Sequence, residues 1–543
     1  MKIVVADKIS EAGMELLRAT GWRVVQAAAR DIQTELADAE ALIVRSATQV
    51  TAELLERAAR LRVVGRAGVG VDNIDLDAAT MRGVLVMNTP GSNAVSVAEH
   101  TIALLLALAR QVPQLSAALQ AGRWEKSSAG VEVRGKTLGL VGLGRVGVEV
   151  ASRARALEMR VVAHDPYVAA NVAREIGVEL LGLDELLACA DFVSLHTALS
   201  PATEKLINAE RIARMKRGAR LVNTARGELV DEAAVAGALR AGQLAGAALD
   251  VFAAEPVPAD WPLRGLPNVI ATPHVAGSTR EAQEEVGYLI AQQVRDFLGE
   301  GILRNAVNLP NISAEQYRRV RPYLELAGRL GSLVAQITPG ALAGVRITYA
   351  GEPAELGTSV LANAVLAGVL NTVLAEKVNL VNAAAVAAAR GLVIEEHTRR
   401  REHGFPNTLE VAARNDAGKE IAAEGTALHG ADPRILNLDG IYVETPLEGT
   451  ILFTRNRDVP GVIGQIGTIL GSQGVNIATF ALGRREAVRG AEAIALIGVD
   501  GDLADSVVTH LRNGVAALTE ARVVRLPAAG QARQSSFVFL AGT

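Results

Sequence analysis

The run "ATPHVAGST" (271–279) places His274 behind a proline among small residues, in a chain with only eight histidines. An imidazole titrates near working pH, so a loop histidine can take a proton from a hydroxyl or return one to a carbonyl oxygen. Taken alone, a structural or solvated loop side chain is the competing reading. A second constellation is better defined. The stretch "LGLVGLGRVGVEVASRARALEMRVVAHDPY" carries Gly142, Gly144 and Gly147. A bare GxGxxG means little among 52 glycines, but here an apolar strand precedes it, a helix follows, and Asp165 ends the next strand roughly 20 residues on. The strand is expected to end at Gly142 and the helix to open at Gly147. Gly142 permits the tight turn, Gly144 lets the backbone approach a pyrophosphate, and Gly147 lets helix and strand pack closely, with helix N–H groups facing the anion. Asp165 accepts hydrogen bonds from ribose hydroxyls and repels a 2′-phosphate, which favours NAD over NADP. The alternative is a glycine turn followed by a solvated aspartate.

The elements that must hold these residues are short, nearly all-apolar strands alternating with helices, the pattern of a parallel sheet covered on both faces. A first set is "KIVVAD", "WRVVQ", "ALIVRS", "LRVVGRAG" and "GVLVMNT", and a second is "KTLGLVG", "MRVVAHD", "DFVSLHT", "ARLVNTA", "GAALDVF" and "NVIATP". Two α/β units in series are expected. Between them "SVAEHTIALLLALARQVPQL" reads as one long helical run, and "STREAQEEVGYLIAQQVRDFLGEG" as a second, with Ser278 and Glu281 at the spacing of a capping box. The first unit is expected to be discontinuous, the chain returning to it after this helix.

At 543 residues the chain exceeds what one core supports, and roughly three or four domains are expected. Hydrophobic residues make up 50% and aromatics 3%, so the cores must be built from Ala, Val, Leu and Ile. The single cysteine, Cys189, lies on the apolar face of an expected helix and reads as a small core residue, with a nucleophile as the alternative. One cysteine and an N-terminus without a signal-peptide core point to a cytoplasmic setting. The longest apolar stretch, "TIALLLALA", is too short to span a bilayer, so no membrane association is expected. A net charge of −4 gives no general attraction for nucleic acid. Past residue 314 helices and strands mix without a catalytic cluster, and from Thr450 the order strand, helix, strand, strand, helix, strand suits a split βαβ sandwich.

Read together, "VNTARGELVDEAAV", "ALDVFAAEP" and "ATPHVAGST" closely resemble the D-2-hydroxyacid dehydrogenase family. The resemblance covers about the first 310 residues. It implies two doubly wound α/β domains, NAD as cofactor, and a catalytic trio of Arg226, Glu255 and His274. In that chemistry His274 handles the hydroxyl proton, Glu255 orients the ring and favours its protonated form, and Arg226 offers a fixed fork to the substrate carboxylate. The same resemblance places cofactor contacts at Arg145, Val146, His196, Thr197, Thr224, Ala225, Asp250 and Gly277. No metal site is expected. Singly, Arg226 as a helix-cap ion pair and Glu255 as a surface carboxylate remain open readings.

"LIVRSAT", "RAGVGVDNIDLDAAT" and "VMNTPGSNAVSVAEHT" look like the phosphoglycerate dehydrogenase branch of that family. This implies 3-phosphoglycerate as substrate, with Arg45 toward its phosphate, the turn at Gly68 and Gly70 offering N–H groups to its carboxylate, and Ser46 and Val69 among the substrate contacts. A surface arginine is the alternative for Arg45. The section from about 315 to 450 is similar to that branch's intervening domain, and "NRDVPGVIGQIGTILGSQGVNIATFALGR" looks like an ACT domain. The expected organisation is therefore 1–98 with 285–314 for substrate, 99–284 for NAD, 315–449 intervening, 450–527 ACT and a tail at 528–543. If L-serine acts as an effector, the resemblance places it at Asn456, Asp458 and Asn476, against the alternative that these residues only shape turns. A homotetramer is expected. Two other functions stay open: a glyoxylate, hydroxypyruvate or D-lactate dehydrogenase, and a non-catalytic NAD-binding sensor.

Overall fold

The computed structural model describes residues 1–126, 129–310, 314–375, 377–400, 405–428 and 432–527. The tail at 528–543 lies outside them. One compact unit is Pro90–Val286, and the other joins Met1–Thr89 to the described residues from Gly287 onward.

In the second of these, β1 (Lys2–Val5), β2 (Arg23–Gln26), β3 (Ala41–Val44), β4 (Val63–Arg66) and β5 (Leu85–Met87) form a parallel sheet ordered β2-β1-β3-β4-β5. All residues of β1 and β3 are buried, as expected of strands covered on both faces. The chain does come back to this sheet. Val307 N–H donates to Val86 O at 2.8 Å, and the Asn308 side chain bonds Val86 N–H and Val84 O.

Pro90–Val286 holds β6 (Thr137–Val141), β7 (Arg160–His164), β8 (Glu179–Leu180), β9 (Phe192–Leu195), β10 (Ala219–Asn223), β11 (Leu244–Leu249) and β12 (Val269–Ala271). They form one parallel sheet ordered β12-β11-β10-β9-β6-β7-β8, a doubly wound topology that reverses between β6 and β9. Apolar cores of Ala, Val, Leu and Ile cover its faces. Cys189 packs against one of them, its thiol 3.5 Å from Leu186 O.

Four local expectations need correction. The expected single helix at 96–115 is two, Ala94–Arg110 and Val112–Gln120, bent by 63°. Gln111 takes a left-handed φ of 54° there, and Pro113 cannot continue the first helix because it lacks an N–H and clashes one turn back. The glycine-loop helix opens at Arg145 with Gly144 as its N-cap, so Gly147 lies inside the first turn and does not begin it. The later helix begins at Arg280, and Thr279 is the residue whose Oγ1 accepts from Ala282 N–H, at 3.1 Å. Ser278 is therefore not the cap. Finally, β8 was not among the expected strands. Among the described residues no single helix is long and apolar enough to cross a membrane.

Beyond residue 314 a long helix, Ala314–Ile337, precedes a mixed sheet of β13 (Leu342–Ala350), β14 (Val393–Arg399), β15 (Thr408–Asn415), β16 (Glu420–Leu428), β17 (Asp432–Leu438) and β18 (Ile441–Pro446). Its order is β14-β13-β15-β16-β17-β18, antiparallel except for β13 with β14. Last come β19 (Thr450–Arg457), β20 (Ile477–Arg484), β21 (Glu492–Val499) and β22 (Leu518–Arg525), antiparallel in the order β20-β21-β19-β22, with helices Val462–Ser472 and Asp505–Gly514. This is the split βαβ sandwich expected from Thr450 onward.

Candidate active site

Parallel α/β sheets present functional loops at the carboxyl ends of their strands. In the seven-stranded sheet Gly142 follows β6, Asp165 follows β7, His196 and Thr197 follow β9, Thr224 to Arg226 follow β10, Asp250 and Glu255 follow β11, and His274 follows β12. The strand order puts the glycine loop and Asp165 at one side of this edge and Arg226, Glu255 and His274 at the other.

The glycine loop fits a dinucleotide pyrophosphate. Gly142 has a φ of 100°, and a Cβ there would stand 2.6 Å from His196 O. A Cβ at Gly147 would stand 2.4 Å from Gly142 O, whereas one at Gly144 would meet nothing within 4 Å. Two glycines thus serve close backbone packing and the middle one leaves open space over the helix N-terminus, where exposed N–H groups favour an anion. Arg145 lies along Gly91, and Val146 sits in the first helical turn. Asp165 Oδ2 accepts from Leu143 N–H at 2.8 Å and Oδ1 from Tyr167 N–H at 2.9 Å. Each oxygen keeps a lone pair for a ribose hydroxyl. His196 Nε2 meets Ser194 Oγ at 2.9 Å, and burial pushes its imidazole down to about 4. The ring is desolvated although the residue keeps part of its surface exposed, so at neutral pH it is a neutral wall behind the loop.

At the other side, His274 Nδ1 and Glu255 Oε2 are 2.8 Å apart. Glu255 Oε1 accepts from Phe252 N–H at 3.0 Å, which fixes the carboxylate. With Nδ1–H assigned as donor to Glu255, Nε2 is the acceptor left over. It has no protein partner among the described residues. His274 also holds a left-handed φ of 53°, a conformation that persists only when its surroundings over-determine it. The surroundings here are Asp250. Its main-chain oxygen accepts from His274 N–H at 2.8 Å. Its fully buried carboxylate accepts from Thr272 Oγ1 at 2.5 Å, Val275 N–H at 3.0 Å and Ala276 N–H at 2.8 Å. His100 Nε2 joins through Thr272 Oγ1 at 3.1 Å. Asp250, expected as a cofactor contact, is placed as the anchor under the His274 loop. Thr272 and His100 were not singled out from sequence, because nothing in their local spacing marks a partner so far along the chain.

Arg226 follows β10 in a turn whose carbonyl accepts from Asn223 Nδ2 at 2.8 Å. A Cβ at Gly227 would fall 1.9 Å from Phe252 C, so this turn is pressed directly onto the backbone leading to Glu255. Thr224 is buried with its Oγ1 2.8 Å from that of Thr101, and Ala225 N–H donates to Asn223 Oδ1 at 3.0 Å. Gly277 leaves space for the Asn93 amide, which would stand 2.6 Å from a Cβ there.

In the five-stranded sheet Arg45 and the exposed Ser46 follow β3. Gly68 has a φ of 150°, and its N–H is already engaged by Arg66 O at 2.9 Å. The donors this turn has left for a carboxylate are Val69 and Gly70, which have no acceptor among the described residues. In the C-terminal sandwich Asn456 is buried and its Oδ1 has no hydrogen-bond partner among the described residues. Asp458 pairs with Arg484 at 3.2 Å. Asn476 instead donates to Asp500 at 2.5 Å.

The profile for the NAD-binding domain of D-isomer specific 2-hydroxyacid dehydrogenases matches residues 102–276. Fold and site together define an NAD-binding dehydrogenase of the 2-hydroxyacid class. The profile for the D-3-phosphoglycerate dehydrogenase intervening domain matches residues 319–439. A D-3-phosphoglycerate dehydrogenase of Archaeoglobus fulgidus is 42% identical over 504 residues, 92% of this chain and 95% of that protein. One of Bacillus subtilis is 40% identical over 528 residues, 97% of this chain and 100% of the other. The chain belongs to the D-3-phosphoglycerate dehydrogenase family. Among solved structures, a glyoxylate reductase from Paecilomyes thermophila is 30% identical with a TM-score of 0.52, covering 56% of this chain and 98% of its own. An NAD-dependent formate dehydrogenase from Staphylococcus aureus, in complex with NAD, is 31% identical with a TM-score of 0.51, covering 56% and 98%.

Proposed function

We propose that the chain oxidises 3-phospho-D-glycerate to 3-phosphohydroxypyruvate with NAD, the entry step to L-serine. The observation that carries this is the His274–Glu255 pair at 2.8 Å, with Nε2 unengaged, on the same sheet edge as a glycine loop that fits a dinucleotide. NAD, which the Gly142–Gly147 loop and Asp165 would hold, would supply the acceptor for the hydride leaving C2 of the hydroxyacid. His274 Nε2 takes the C2 hydroxyl proton, and Glu255 holds the ring while it carries the charge. Arg226 forks onto the carboxylate and polarises the C2 oxygen. Within the five-stranded unit, Val69 and Gly70 have N–H groups suited to a substrate carboxylate and Arg45 a guanidinium suited to its phosphate. Steady-state rates with NAD against a panel of 2-hydroxyacids, with and without a phosphate, test the reading. A preference for 3-phosphoglycerate is expected; equal or better rates on glycerate, lactate or glycolate would overturn it. The panel is needed because similar structures carry out glyoxylate reduction and formate oxidation.

Three finer features belong to the same reading. L-Serine binds the C-terminal sandwich beside Asn456, whose buried, unpartnered Oδ1 is an acceptor for its ammonium group; calorimetry with serine tests it. The chain assembles as a homotetramer, supported by large apolar side chains left exposed at Leu119, Trp124 and Phe480, and light scattering gives the mass. It works in a reducing cytoplasm, in keeping with its one free cysteine.

A further inference from the structure

Arg45 has a free tip on a root that is held from both sides. Among the described residues its guanidinium meets the protein through one long contact, Nη1 to Lys8 O at 3.4 Å. The backbone of Arg45 to Thr48 belongs to no helix or strand, yet two side chains satisfy its polar groups. Asp7, just past the neighbouring strand β1, accepts from Arg45 N–H at 2.6 Å, Thr48 N–H at 3.2 Å and Thr48 Oγ1 at 2.8 Å. Asn73 uses its amide nitrogen for the carbonyls, donating to Arg45 O at 2.7 Å and Thr48 O at 2.6 Å. The chemistry is matched: an acceptor-only carboxylate takes the N–H groups, and an amide with two hydrogens serves the C=O groups. Asn73 itself is fixed by its main chain, its carbonyl accepting from Val50 N–H at 2.8 Å. It ends the turn that carries the free Val69 and Gly70 N–H groups.

We propose that Asn73 and Asp7 are positioning residues for the recognition of phosphorylated substrate. By clamping the Arg45–Thr48 backbone they hold the arginine at a set place relative to the Val69–Gly70 turn. The inference rests on the reading that Arg45 receives the phosphate. A side chain with several rotatable bonds delivers a charge to a chosen point only if its Cα is fixed, and little else in the loop fixes it.

The test uses the full-length enzyme with NADH, comparing 3-phosphohydroxypyruvate with hydroxypyruvate in Asn73→Ala, Arg45→Ala and the double variant. Losing two hydrogen bonds to the loop should raise KM for the phosphorylated substrate about 10-fold, with kcat kept and hydroxypyruvate turnover little changed. In the Arg45→Ala background the same substitution should add almost nothing, the coupling expected of residues that act through one another. Should Asn73→Ala fail to fold, Thr48→Val, which removes only the hydroxyl bond to Asp7, carries the same comparison. Equal losses on both substrates, or an undiminished loss in the Arg45→Ala background, overturn the positioning role while leaving the phosphate reading intact. An Arg45→Ala variant that loses equally on both substrates, or loses on neither, overturns both.

Discussion

At the scale of single residues, the site asks one imidazole to be reactive and another to stay inert. His274 has Nδ1 committed to Glu255 and Nε2 open, so His274→Ala should remove proton transfer while the separate glycine loop still takes NADH. Turnover should fall about 10²–10⁴-fold, with NADH affinity by fluorescence titration near normal; a variant that kept its turnover would refute the role. His196 is the inert one. Burial lowers its pKa to about 4 from an ordinary 6.5, so between those values the unfolded chain binds a proton that the folded one refuses. Stability is then complete above about pH 6.5 and is lost as pH falls toward 4. Between pH 7 and 5 this residue should cost about 2 kcal/mol, and denaturant midpoints should show that His196→Gln flattens the slope. His274 was legible because its motif is short. The anchoring role of Asp250 was not, since its partners Val275 and Ala276 meet it only after the chain has passed through β12.

At the scale of elements, strands wrote themselves into the sequence more clearly than helix ends did. Runs such as "ALIV" in β3 are buried on both faces and carry no polar interruption, so they have no other stable place to go. By contrast β8 has only Glu179 and Leu180, too few residues for any periodicity. Helix caps depend on one hydrogen bond, and adjacent Ser278 and Thr279 are equally able to form it. The structure gives it to Thr279, whose Oγ1 also meets Ser96 Oγ at 2.7 Å. Thr279→Ala should therefore cost about 1 kcal/mol, and Ser278→Ala close to nothing, in paired urea denaturation curves. The reverse order would restore the sequence-based cap. Pro113 is a similar case: the expected helical run continues through it, but its missing N–H forces the break at Gln111.

At the scale of the whole chain, what sequence left dark was how the later modules attach. Their joints use main-chain carbonyls, which carry no residue signature. Asn379 Nδ2 donates to Gly83 O at 2.8 Å, closing the end of the Leu76–Met81 helix. In the long helix Ala314–Ile337, buried Arg329 sends Nη1 to Leu447 O at 2.7 Å and to Pro527 O at 2.8 Å, the two ends of the C-terminal sandwich. Gln336 adds a two-way bond to the Arg525 backbone at 3.0 and 2.9 Å. Burial pulls the Arg329 guanidinium below the usual arginine range, partly offset by Glu325 and Glu448. Arg329→Met keeps the bulk and removes the donors. Unpaired buried carbonyls cost about 1–3 kcal/mol each, and the loss should be local: faster amide exchange at Gly449 and Leu526, whose N–H groups close this joint, with little change in the five-stranded sheet. Turnover without effector should hold, since His274, Glu255 and Arg226 all lie in Pro90–Val286. Unchanged exchange would mean that Gln336 and the paired strands suffice to hold the sandwich, and a collapse of exchange protection across both sheets would mean that Arg329 supports the fold at large and is no joint at all.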